Sequence, residues 1–101
     1  MSQAIHPTLE TLRAKRQAIL SLASKYGAYN VRVFGSVARG EATHDSDIDL
    51  LVSVEKGVSV FDLVGLWLDL QELLKQSVSL VPDESPDPDF QARILQDAVA
   101  L

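Results

Sequence analysis

The sequence predicts an α/β (α+β) domain in which helices cover a small mixed β-sheet. Three observations predict it. Apolar residues recur at helical spacing over 7–26 and 59–75. Short apolar runs at 30–34, 48–54 and 78–81 have strand length and strand composition. The resulting order is helix, strand, short turn, strand, helix, strand, helix, which suits a sheet with helices packed on it.

Each element has a local reason. In the first helix Leu9, Leu12, Ile19, Leu22 and Tyr26 mark one apolar stripe, Pro7 suits a first turn, and Gly27 suits the residue past the end. Asn30 to Phe34 reads as a short strand, and Ile48 to Val54 as a mostly apolar strand interior to the sheet. The second helix opens with a capping-box pattern, Ser59 with Asp62, and carries Leu63, Leu66, Leu70, Leu73 and Leu74 at helical intervals. Val78 to Val81 is a third strand stopped by Pro82. Asp87 and Pro88 then offer an N-cap and an N1 proline for a last helix near 88–98. Val99 to Leu101 either pack at home or dock on a partner.

Bulk composition narrows the function. The chain has 101 residues, 47% of them apolar, which is enough for one domain, residues 1–101, with one core. No apolar run approaches a membrane span and no leader is evident, so the expected setting is the cytoplasm, without membrane contact. There is no cysteine, which excludes disulfides and thiolate metal sites. The formal net charge is −5, with nine Lys and Arg against fourteen acids, so long nucleic acid is a poor partner. A small anion neutralised by a metal, or a basic protein, fits better.

The chemistry concentrates between residues 34 and 52. Phe34-Gly35-Ser36-Val37-Ala38-Arg39-Gly40 ends one strand, and Ser46-Asp47-Ile48-Asp49-Leu50 opens the next. Alternation puts Asp47 and Asp49 on one face, about 6.5 Å apart at the backbone, with Ile48, Leu50, Val52 and Val54 opposite. Two bare carboxylates at that distance repel by roughly 0.6 kcal/mol in water and about 2.5 kcal/mol at an effective dielectric of 20. A divalent cation reverses that sign, and oxygen ligands favour Mg²⁺ or Mn²⁺ over zinc. Gly35 permits a sharp turn, the amides after it can face an anion, Ser36 adds a hydroxyl, and Arg39 adds a fork suited to phosphate or, equally, to Glu41. A triphosphate between the two halves would serve phosphoryl or nucleotidyl transfer.

Competing motifs fail at specific positions. Gly35 and Gly40 have P-loop spacing, but Glu41 and Ala42 stand where lysine and a hydroxyl are required. An EF-hand loop starting at Asp45 needs Gly at 50 and Glu at 56, where this chain has Leu50 and Lys56. An ordinary Gly-Ser turn followed by a solvated acidic turn is the plain alternative.

Gly35-Ser36, ten residues, then Asp47-x-Asp49 resembles the signature of the DNA polymerase β-like nucleotidyltransferases. The longer string is similar to their minimal branch, the MntA-type antitoxins. The resemblance implies that catalytic Asp47 and Asp49 ligate two Mg²⁺ ions, and that Gly35 and Ser36 hold the phosphates of ATP. It further implies a HEPN-type ribonuclease toxin as partner in a hetero-oligomer, silenced by transfer of AMP to a tyrosine. The family pattern expects a third carboxylate in the segment reading Val78-Ser79-Leu80-Val81, where Ser79 stands instead, roughly 5 Å from the pair if the strands are neighbours. Asp83 and Glu84 follow just downstream. The alternative is therefore a nucleotidyltransferase-fold binding module that neutralises its partner by complex formation.

Four further residues stand outside the motif. His44 is either a proton-transfer aid or a solvated histidine, and His6 is a helix-start residue. Trp67 reads as core rather than an adenine platform. Arg32 is either near a nucleotide or on a solvated face.

Overall fold

The computed structural model describes residues 7–84 and 87–101, so His6 lies outside the described residues. Its elements are α1 (Leu9–Ala14), α2 (Arg16–Lys25), β1 (Ala28–Phe34), α3 (Gly35–Arg39), β2 (Ile48–Val54), α4 (Val60–Leu74), β3 (Val78–Pro82), α5 (Pro88–Asp97) and β4 (Val99–Ala100). The sheet order is β3-β2-β1-β4. β1 runs antiparallel to β2 and β4, while β2 and β3 are parallel, joined by the α4 crossover. The sheet is mixed, as predicted, and β2 is interior.

One face of the sheet is the core. Val33, Ile48, Leu50 and Val52 are buried with Ile19 and Ala23 of α2 and Leu66 and Leu70 of α4. Truncating a leucine at such a position costs about 2–5 kcal/mol. The caps hold as the sequence indicates: Ser59 Oγ accepts from the Asp62 amide, and Asp87 accepts from the Asp89 and Phe90 amides. Each contributes about 1 kcal/mol.

Two local features differ from expectation, and a third settles an open reading. The first helix is two helices, because Lys15 leaves helical geometry at φ −106° and ψ 16°. Its ammonium reaches the Leu73 carbonyl, 3.4 Å away in the last turn of α4, one of the acceptors a helix end leaves open. Thr8, not Pro7, starts α1: it forms a reciprocal cap with Thr11, and the proline stands one residue outside. Val99 and Ala100 pair with β1, and Leu101 is buried, so the C-terminal apolar residues pack at home. Arg13 secures them by donating to the carbonyls of Ala100 (2.9 Å) and Leu101 (3.3 Å).

The opposite face is covered only in part. Leu51, Val81, Ile94 and Leu95 meet there beneath α5. Gln91 donates to the Asp83 carbonyl (2.9 Å), and Asp97 pairs with Arg39 (2.7 Å), tying α5 down across β1 to β3. The uncovered part is the end where β2 begins.

Candidate active site

Strand register assembles the site. Phe34 pairs with Asp49, and Asp49 pairs with Ser79, so the middle strand presents its carboxylate between the end of β1 and the start of β3. Asp47, one residue before β2, is exposed, and Asp49 is partly buried. Among the described residues neither carboxylate has a hydrogen bond or an ion pair. Burial pushes the Asp49 carboxyl above the usual carboxylate range, and the Asp47 charge pushes it further, against a smaller opposing pull from Arg39.

Gly35 lies against that carboxylate. Its φ is +72°, a left-handed backbone that side chains disfavour. A Cβ there would overlap Asp49 Oδ2 and stand 3.1 Å from Cγ. Only glycine therefore lets β1 turn into α3 with the carboxylate in contact. α3 then stops at Gly40 (φ +73°), where the Glu41 amide donates to the Ser36 carbonyl at 2.9 Å. The Ser36 hydroxyl has no partner among the described residues. Arg39 donates through Nε to Glu41 (2.6 Å) and through Nη1 to Asp97 (2.7 Å), so it is already paired.

Of the other candidates the structure brings only Ser79 to the pair. Ser79 faces Asp49 across the parallel β2–β3 ladder, as its position in the third strand suggests, and its hydroxyl also lacks a partner among the described residues. Asp83 does not join the carboxylates. It lies four residues beyond Ser79, just past the end of β3 and about 13 Å away at strand rise, where Arg32 Nη2 (2.9 Å) and Ser53 Oγ donate to it. Arg32 thus belongs neither near a nucleotide nor on a free solvated face. His44 is exposed in the loop, with Nε2 3.4 Å from Asp45 Oδ2.

Trp67 departs from the core reading. It is 36% exposed, its Nε1 donates to the Val78 carbonyl at 2.6 Å, and it walls a groove of about 540 Å³ between α4 and β3. Asp47 and Ser79 line the same groove, with Val60, Val64 and Leu80. Sequence reasoning missed this site. A signal was present: Val60, Val64 and Trp67 fall at helical spacing beside, not on, the buried Leu66-Leu70-Leu74 stripe.

The donor set decides what could bind. Asp47 and Asp49 offer hard oxygen ligands without competing partners, which fits one divalent cation. Among the described residues no group of three or more His, Cys, Asp and Glu is gathered, and Ser79 supplies no charge, so the set for a second ion is incomplete. No helix among the described residues is long and apolar enough to cross a membrane.

Comparison with known proteins identifies the family. Residues 15–101 match the family described as nucleotidyltransferase domain. "Putative protein adenylyltransferase MJ0435" of Methanocaldococcus jannaschii is 38% identical over 84 residues, covering 83% of this chain and 90% of its own length. "Protein adenylyltransferase MntA" of Thermococcus cleftensis is 36% identical over 77% of this chain and 79% of its own. Among solved structures, a "putative minimal nucleotidyltransferase" superposes with a TM-score of 0.82 at 49% identity, covering 93% of this chain and 96% of that one. A "toxin-antitoxin with AMP-PNP" shares the fold at 21% identity, with a TM-score of 0.72 over 83% of this chain and 69% of that one. The chain is thus a nucleotidyltransferase enzyme, a member of the nucleotidyltransferase domain family and of its minimal, MntA-like type.

Proposed function

We propose that this chain is a cytoplasmic antitoxin that transfers AMP from ATP, with Mg²⁺, to a tyrosine of a HEPN-type ribonuclease toxin, with which it forms a hetero-oligomer. The observation that carries the reading is the pair of unpartnered carboxylates, Asp47 and Asp49, of which Asp49 lies against the Gly35 bend. Two charges left bare side by side make sense as a cation site. Asp47 and Asp49 would hold Mg²⁺, whose charge would offset that of the triphosphate and polarise the α-phosphoryl group. Gly35, by lacking a side chain, leaves room for phosphate oxygens at the bend, and the Ser36 hydroxyl donates to one of them. Arg39 adds charge on the same side, and a phosphate there competes with Glu41 and Asp97 for its guanidinium. The name of the Thermococcus cleftensis relative supports protein adenylylation. The toxin–antitoxin complexes that share the fold support a toxin as the acceptor.

Ser79 favours a second reading on its own account. With serine opposite Asp49, no third carboxylate takes the proton of the attacking hydroxyl or completes a second ion site. The chain then binds ATP and its partner and neutralises the toxin by complex formation alone.

The experiment is a mass spectrum of the toxin after incubation with this protein, ATP and MgCl₂. One added AMP on a tyrosine is the expected result. An unmodified toxin that nonetheless stays bound and silenced establishes the binding module instead.

A further inference from the structure

We propose that the groove between α4 and the free edge of β3 is the acceptor subsite, with Trp67 and Val64 as its specificity-determining residues. The proposal rests on the adenylyltransfer reading and adds where the acceptor side chain lies.

In-line transfer fixes the direction of approach. The acceptor oxygen bonds to the α-phosphorus of ATP, the bond from that phosphorus to the bridging β-oxygen breaks, pyrophosphate leaves, and the hydroxyl proton passes to water. Attacking and leaving oxygens stand on opposite sides of the phosphorus. If the phosphates that leave rest at the Gly35-Ser36 bend, they lie on the β1 side of Asp49. The attacking hydroxyl must then come from the β3 side, because the order across the sheet is β1, β2, β3. The groove opens there, and Asp47 and Ser79, on the side of the carboxylate pair, are among its lining residues.

The wall chemistry selects the acceptor. Val60, Val64, Trp67 and Leu80 make most of it apolar, while Asp47 and Ser79 supply polar groups. A side chain with an apolar ring and a terminal hydroxyl matches both parts; a serine side chain is too short to use the wall. The indole is held in place by its bond to the Val78 carbonyl, so little side-chain freedom is lost on binding. Beyond the groove the same helix exposes Phe61 (87%) and Leu68 (52%), which extends the apolar surface toward the body of a protein acceptor. α4 contains Asp62, Asp69 and Glu72 but no Lys or Arg. A second acidic copy is thereby disfavoured, and a partner with basic residues around its aromatic side chain is favoured.

The test titrates the ¹⁵N-labelled chain, in MgCl₂, with α,β-methylene-ATP and separately with N-acetyltyrosinamide and N-acetylserinamide. Trp67 is the only tryptophan, so its indole signal is unambiguous. N-acetyltyrosinamide is expected to shift the Trp67 indole and the Val64 and Ser79 amides saturably. The nucleotide shifts the Gly35 to Gly40 amides, and N-acetylserinamide shifts neither set. V64E, at an exposed position, and W67A are each expected to weaken the tyrosinamide response at least tenfold while leaving the nucleotide response intact. Groove signals that follow the nucleotide, or that ignore N-acetyltyrosinamide up to its solubility limit, overturn the proposal and leave the parent reading standing. A nucleotide that fails to move the Gly35 to Gly40 amides overturns both.

Discussion

Two ends of one sheet face carry the same kinds of side chain and treat them in opposite ways. At the far end Asp83 accepts from Arg32 and Ser53, and Asn30 Nδ2 in turn donates to Ser53 Oγ at 3.4 Å. Arg32 is brought there by a β-bulge: the β1–β2 register slips between Tyr29 and Arg32, with Asn30 at φ +51°. At the near end Asp47, Asp49 and Ser79 have no partners among the described residues, and Asp49 is partly buried nonetheless. The far end shows that this fold satisfies a partly buried carboxylate when it is structural. An open near end is what the proposed cation and nucleotide site requires, since its partner would come from outside the chain.

Removing the Asp49 charge at the near end should cost activity and not stability. Asp49→Asn is expected to lower AMP transfer by about 10²–10³-fold or more, the scale of losing a charge-stabilising group. The same change should raise Tm in metal-free buffer. The Asp49 carboxyl titrates above its unfolded value, so its charged form costs the native state stability. That cost is complete above the folded pKa and absent below the unfolded one. The advantage of Asp49→Asn seen at pH 7 should therefore vanish as pH falls through the carboxylate range. Thermal melts across pH check it.

Gly35→Ala tests the contact between the bend and the carboxylate. A left-handed alanine costs about 1–2 kcal/mol, and the overlap with Asp49 adds to it. Transfer and Mg–nucleotide affinity should both fall, by calorimetry and by rate, while Gly57→Ala, with open space around its Cβ position, keeps both.

Breaking the far end should do the reverse. Asp83→Ala leaves Arg32 and Ser53 without their acceptor and should destabilise by about 1–3 kcal/mol in denaturant unfolding. Transfer measured below the lowered Tm should stay within about threefold of the parent. The smallest change is Ser79→Asp, which sharpens the contrast by adding a third carboxylate opposite Asp49. Without metal it should lower Tm by a few degrees, through repulsion of about 1 kcal/mol. With Mg²⁺ it should bind more cation and transfer faster.

Much of this was legible in the sequence because it is local. The Asp47–Asp49 alternation, the Ser59 and Asp87 caps and the Leu66-Leu70-Leu74 stripe follow from spacing alone. The interior position of β2 followed from its continuous apolar run. Long-range pairing was less legible. Nothing near Arg32 announces Asp83, fifty-one residues away, or the bulge that aims one at the other. Trp67 misled because an aromatic on an amphipathic helix usually packs inward. Here the Leu66 row already fills the core, and the indole is left to bond the edge of β3. The break at Lys15 has no proline or glycine to mark it.

The direct test of the central claim is calorimetric titration of α,β-methylene-ATP into the wild-type chain and the Asp47→Asn/Asp49→Asn double variant, each with MgCl₂ and with EDTA. The account predicts Mg²⁺-dependent binding to the wild type and its loss in the folded double variant. Equal binding by both chains, or binding by the wild type that EDTA leaves unchanged, would contradict it.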